Sequence, residues 1–186
     1  GILDWTLAEP DLDPGDGTGQ PACFGTDLDG LATRAGTVPD AAAGTVHPNR
    51  VVSLDHVVVL SPDVDRTTDA LAAVGAELRR VRPVGSGPDA RVQHFFRLGE
   101  VILELVGPAR PDGDGPARFW GLAFTVDDLD ATAAHLGDAV SPPKPAVQAG
   151  RRIATLRHRV LGLSVPTAFL SRRDRAGHGR SEARPR

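Results

Sequence analysis

The chain has 186 residues, 40% of them hydrophobic, which suits one domain with a real core and an appended arm. Its single cysteine, Cys23, rules out an internal disulfide, a redox thiol pair and a cysteine-based zinc site. The net charge of −3 is unevenly spread, with eight acids against two arginines in residues 1–50 and six arginines against two acids in residues 172–186.

Residues 8–50 are rich in Pro, Gly and Asp, so residues 1–49 read as an irregular acidic arm, with a short strand expected only at Ile2–Leu7. Within it "TVHPNR" places His47 in a tight turn that delivers the chain into the next strand. The body starts with "VVSLDHVVVL", a β-branched run that reads as a strand. "SPDVDRTTDALAAVG" follows as a helix, with Ser61 as its cap and Pro62 at its first position. Val64, Thr68, Leu71 and Val74 fall on one face of it. Strands are expected near Glu77–Val84, Arg91–Leu98 and Val101–Val106, separated by "GSGPD" and "GE".

The next stretch repeats the first. "GLAFTVDDLDATAAHLG" matches the strand-to-helix passage at a constant offset of 65 residues, pairing Thr67 with Thr132 and Leu71 with Leu136. "DDLD" at 127–130 reads as a helix cap rather than a cation site. "AVSPPKPAV", "RRIATLRH" and "VPTAFLS" complete a second set of strands. The simplest account is an α+β fold of two tandem β-α-β-β-β units, 50–108 and 117–171, in a domain spanning 50–171. Their strands join edge to edge in an open eight-stranded mixed sheet around a cleft, with helices outside. Residues 172–186 lack aromatic residues for stacking and apolar periodicity for a helix, so they read as a disordered basic tail and not as a nucleic-acid arm.

No apolar run approaches the roughly 18 residues that span a bilayer, and the first residues lack the basic-then-apolar order of a signal peptide. A soluble cytoplasmic protein without membrane or nucleic-acid partners is the expectation. The sequence holds no phosphate loop, nucleophile elbow or dinucleotide fingerprint.

The stretches "LDHVVVLSPDVDRT", "FFRLGEVILELV" and "GLAFTVDDLDATAAHLG" resemble the vicinal oxygen chelate superfamily, the relatives of glyoxalase, bleomycin-resistance proteins and extradiol dioxygenases. The resemblance implies a ligand-binding cleft, frequent dimerisation and, in metal-using members, one ligand from the first and fourth strands of each unit. The matching residues of unit one are His56 and Glu104. In unit two the offset gives Gly121 and Phe169, neither of which offers a ligand side chain. A catalytic divalent ion needs about three protein ligands and an open position, so this set is incomplete. His94 or Gln93 on the preceding strand, or the bound ligand itself, is the candidate to complete it.

Strand alternation sets Leu54, His56, Val58 and Leu60 on one face, and Ser53, Asp55, Val57 and Val59 on the other. A His56–Glu104 pair in an apolar cleft serves either as a general acid–base couple without metal or as a hydrogen-bonded lining of a ligand pocket. Phe169, one of Phe95 and Phe96, and the space at Gly121 are expected to shape that pocket. Arg97 and Arg157 are candidates to clamp an acidic ligand. The resulting expectation is a glyoxalase-like protein with a degenerate metal site, a homodimer that sequesters or transforms a small organic molecule. The alternative is a metal-dependent lyase, isomerase or dioxygenase with His56 and Glu104 as ligands. No cofactor is fixed by the sequence, and a divalent metal enters only through the resemblance.

Overall fold

The computed structural model describes residues 1–8, 24–36 and 46–173. The basic tail expected at 172–186 lies outside them from residue 174 onward. The strands are β1 (Trp5–Ala8), β2 (Phe24–Leu28), β3 (Leu31–Gly36), β4 (Val51–Leu60), β5 (Glu77–Val84), β6 (Arg91–Leu98), β7 (Val101–Pro108), β8 (Arg118–Val126), β9 (Lys144–Pro145), β10 (Arg152–Thr155) and β11 (Thr167–Ser171). Two helices interrupt them, α1 (Val64–Ala73) and α2 (Leu129–Leu136). No helix among the described residues is long and apolar enough to cross a membrane.

The main sheet has eight strands in the order β5-β6-β7-β4-β8-β11-β10-β9. Each unit contributes a β-α-β-β-β run, and the two first strands, β4 and β8, meet antiparallel at the centre. Within each unit the first and last strands lie parallel, β4 beside β7 and β8 beside β11. Each helix covers its own half of one sheet face. Val64 and Leu71 of α1 join Val59, Phe96, Leu103 and Leu105 in one core. Leu129 of α2 joins Val126, Ala154 and Phe169 in a second. The opposite face of the sheet is left to curve around a cleft.

The caps show the local chemistry. Asp63, not Ser61, caps α1 by accepting from the Arg66 backbone N–H at 3.0 Å, while the Ser61 hydroxyl bonds to Asp63's own backbone. Asp128 does the same for α2 through Ala131 N–H at 2.9 Å, so "DDLD" is a cap.

The arm departs from its irregular reading. Residues 24–36 form the β2–β3 hairpin, and β1 pairs parallel to β3, which gives a separate three-stranded sheet. Asp29 and Gly30 both have positive φ, 54° and 92°, as a two-residue hairpin turn of this hand requires. Leu28 and Leu31 bury themselves in the α1 core. Asp29 accepts from Arg66 Nε at 2.8 Å and from the Thr67 hydroxyl, which docks the hairpin on α1.

Candidate functional site

The centre of the site depends on an irregularity in β4. The pairing with β8 slips between Leu54, opposite Phe124, and His56, opposite Ala123. Asp55 is the extra residue of this bulge, and it lines the same cavity as His56 instead of facing the helices.

The His56 ring is engaged at both nitrogens. Nδ1 donates to Asp55 Oδ1 at 2.9 Å, and Nε2 lies 3.6 Å from Glu104 Oε2. Parallel pairing of β4 with β7 puts Val58 opposite Glu104, one step along the cleft face from His56. Glu104 Oε1 accepts from Gln93 Nε2 at 2.5 Å. The remaining amide oxygen of Gln93 is buried and has no hydrogen-bond partner among the described residues.

On the other side of the ring, Asp55 Oδ2 receives Arg151 Nη1 at 2.7 Å and the Thr125 hydroxyl at 2.9 Å. Arg151, only 6% exposed, also donates to the Ser171 carbonyl, Gln148 Oε1 and Thr125 Oγ1 at 2.8, 2.9 and 3.1 Å. One continuous chain of polar contacts therefore runs from Arg151 through Asp55, His56 and Glu104 to Gln93.

The two carboxyls that flank the ring are driven in opposite directions. Burial pushes Asp55 up, but hydrogen bonds from His56 and Arg151, the Arg151 charge and the Thr125 hydroxyl outweigh it, and its pKa falls well below the usual carboxylate range. Burial also pushes Glu104 up, and there the opposing charges of His56 and Arg82 do not cancel it. Asp55 therefore stays a carboxylate and takes the Nδ1–H, which turns Nε2 toward Glu104. Glu104 keeps its proton to a higher pH than an ordinary carboxyl. Such divergence of two neighbouring acids is the arrangement that separates a proton donor from a fixed anion.

The chain of contacts forms one wall of a cavity of about 930 Å³. Phe95, Ile102, Val147, Ile153 and Leu170 supply apolar surface, and Arg80 and Arg82 line its β5 side.

Of the residues singled out in the sequence, His56, Glu104, Gln93 and Phe95 come together here. Phe96 is fully buried in the first core, as alternation along β6 demands once Phe95 faces the cavity. His94 points the same way as Phe96, and its Nδ1 bonds to the Thr68 hydroxyl at 2.9 Å, so it is no third ligand. Phe169 is buried beneath α2, with its ring 6.5 Å from that of Phe124, and its neighbour Leu170 is the residue that reaches the cavity. The space at Gly121 is filled by chain: a Cβ there would meet the Pro166 carbonyl oxygen at 2.9 Å. Arg97 and Arg157 are exposed and lie outside the cavity lining.

These positions bear on the metal that the resemblance implies. Unit two places Leu170 and Ile153 toward the cavity, and its matching positions Gly121 and Phe169 offer no donor. Among the described residues no three His, Cys, Asp or Glu side chains converge as ligands. His56 Nε2 and Glu104 are two donors where about three are needed, so the residues present do not fit such a site.

Sequence reasoning missed Asp55, Arg151, Arg80 and Arg82. The bulge hid Asp55, whereas "VQAGRR" between two short strands was a readable signal for a hairpin carrying Arg151.

With two such units sharing one sheet, the chain belongs to the Glyoxalase/Bleomycin resistance protein/Dioxygenase superfamily, whose sequence model matches residues 55–155. No curated protein sequence matches the chain. Among solved structures it is similar to methylmalonyl-CoA epimerase from Mycobacterium tuberculosis, at 18% identity over 71% of this chain and 93% of that one, with a TM-score of 0.52. A mutant 4-hydroxymandelate synthase from Streptomyces coelicolor gives 20% identity over 80% of this chain and 55% of that one, TM-score 0.52. A variant homoprotocatechuate 2,3-dioxygenase from B. fuscum gives 13% identity over 79% and 42%, also at 0.52. At these identities the likeness is one of fold.

Proposed function

We propose that the protein binds a small, partly apolar organic molecule in the cavity between its units and exchanges a proton with it through His56 and Glu104, without a metal. The observation that carries this reading is the imidazole held between two carboxyls of opposite tendency, at the wall of a half-apolar cavity. Asp55 orients the ring, Nε2 accepts or delivers the proton, and Glu104 stores it. A molecule with an acidic C–H or a basic oxygen set against Nε2 would then be deprotonated or protonated in place. Binding without turnover, which amounts to sequestration, uses the same contacts. Homodimerisation belongs to the same reading and is measured by light scattering.

The alternative, a metal-dependent lyase, isomerase or dioxygenase, draws support from one feature. A histidine whose Nδ1–H is held by a carboxylate is how metal-ligating histidines are commonly oriented. Screening a library of small carbonyl compounds and organic acids by thermal shift, on metal-free protein, separates the two. The proposal expects hits whose stabilisation is lost in His56→Ala and weakened in Glu104→Gln. Hits that arise only after adding manganese, nickel or zinc would overturn it in favour of the alternative.

A further inference from the structure

The cavity holds more positive charge than its own acids use. Asp55 is matched by Arg151 and by His56, and Glu104 by Gln93 and His56. Arg80, Arg82 and Arg173, by contrast, line the cavity and form no ion pair among the described residues, Arg82 acting on Glu104 only through its charge from beyond ion-pair distance.

Their placement follows from the sheet. β5 is its edge strand, and the pairing of β5 with β6 sets Arg80 opposite Phe95 and Arg82 opposite Gln93. β6 in turn sets Phe95 opposite Glu104. The two guanidiniums, two residues apart on one strand, therefore share the face that carries Phe95, Gln93 and Glu104. A register slip between Leu78 and Arg80 brings this half of β5 into that phase. Arg82 is half-buried and Arg80 exposed, so one is partly desolvated and the other reaches solvent. Across the cavity Val147, Ile153 and Leu170 offer apolar surface, beside Gln148 and the exposed Arg173, so the paired guanidiniums lie on the β5 side. A ligand that satisfies both sides has an apolar body and an oxyanion at the β5 end.

We propose that Arg80 and Arg82 form an oxyanion clamp, so that the ligand is a small amphiphilic anion carrying a carboxylate or a phosphate. This rests on the reading that the cavity binds a small organic molecule. It adds the class of that molecule and a direction, with the anion on β5 and the reacting end at His56. The clamp replaces Arg97 and Arg157, which the fold directs elsewhere.

The test uses the full chain and three probes of one shape, phenylacetate, phenyl phosphate and the neutral phenylacetamide, each titrated at millimolar concentration and followed by amide NMR. At least one anion is expected to bind about tenfold or more tighter than the amide, with shifts at Arg80, Val81 and Arg82, and to weaken as ionic strength rises. Which anion binds tighter distinguishes carboxylate from phosphate. The double variant Arg80→Gln/Arg82→Gln is expected to lose the preference while keeping wild-type amide dispersion. Arg97→Gln, at an exposed position outside the cavity lining, is expected to retain the preference. Equal binding of all three probes, or a preference that survives in the double variant, overturns the clamp and leaves the cavity reading standing. If no probe shifts the cavity amides, both fall.

Discussion

Replacing Arg151 by Met keeps most of the aliphatic stem and removes the guanidinium that pairs with Asp55. In the native chain the guanidinium makes four polar contacts of 2.7–3.1 Å at 6% exposure, and the Asp55 side chain is 16% exposed. Breaking such a pair strands a carboxylate, at a cost of about 3 kcal/mol, the low end for buried pairs because Asp55 retains His56 and Thr125. For a domain of this size that corresponds to a fall in melting temperature of about 6–12 °C. Asp55→Asn removes the stranded charge, so the double variant should be less destabilised than the sum of the singles, with a coupling of about 2 kcal/mol in urea melts.

The pH dependence has a definite sign. The folded pKa of Asp55 is depressed by His56, Arg151 and Thr125 against the opposing effect of burial. Its contribution is therefore complete above the unfolded value, near pH 4, and is lost as pH falls toward the folded value. The deficit of Arg151→Met should shrink when melts are repeated below about pH 4. Additive single variants, or a deficit that does not change with pH, would refute the pairing as the link between the cavity wall and the 146–151 turn.

Burial holds the His94 pKa below its usual value, with Asp65 pulling weakly the other way. The unfolded chain therefore binds more protons, and stability should fall as pH drops through about 6.5, a slope that His94→Gln flattens in thermal melts. Gly121→Ala should cost about 1–3 kcal/mol by urea denaturation, because its Cβ meets a backbone carbonyl that is itself bonded to Leu122 N–H. An unchanged midpoint would mean that the Pro166 segment yields freely.

The paired units were legible because each leaves the same trace, a β-branched run, an acidic cap and an amphipathic helix at one offset. His56 and Glu104 were found through the family resemblance, and period-2 alternation carried Glu104 to the cavity face of its regular strand. Alternation failed wherever the backbone slipped by one. The bulge at Leu54–His56 turned Asp55 into the cavity. In β11 it is Leu170, one residue beyond the offset position Phe169, that faces the cleft. A slip of one residue exchanges the faces of a strand, and no local composition marks it. The β2–β3 hairpin is a different case. "LDGL" carries the Asp-Gly turn between apolar residues, a usable signal that the surrounding Gly and Pro obscured. Arg80 and Arg82 sit among Arg79, Val81 and Pro83, where charge alone does not tell which face is concave.

The claim that matters most is that His56 and Glu104 exchange a proton and do not form half of a metal site. It is tested most directly by nitrogen-15 NMR of the His56 ring, recorded across neutral pH with and without one equivalent of zinc. The account predicts the Nδ1–H tautomer for the neutral ring, an Nε2 signal unmoved by zinc, and loss of the tautomer preference in Asp55→Asn. A stoichiometric zinc-induced shift at Nε2 that disappears in Glu104→Gln would contradict it and return the protein to the metal-dependent branch of its superfamily.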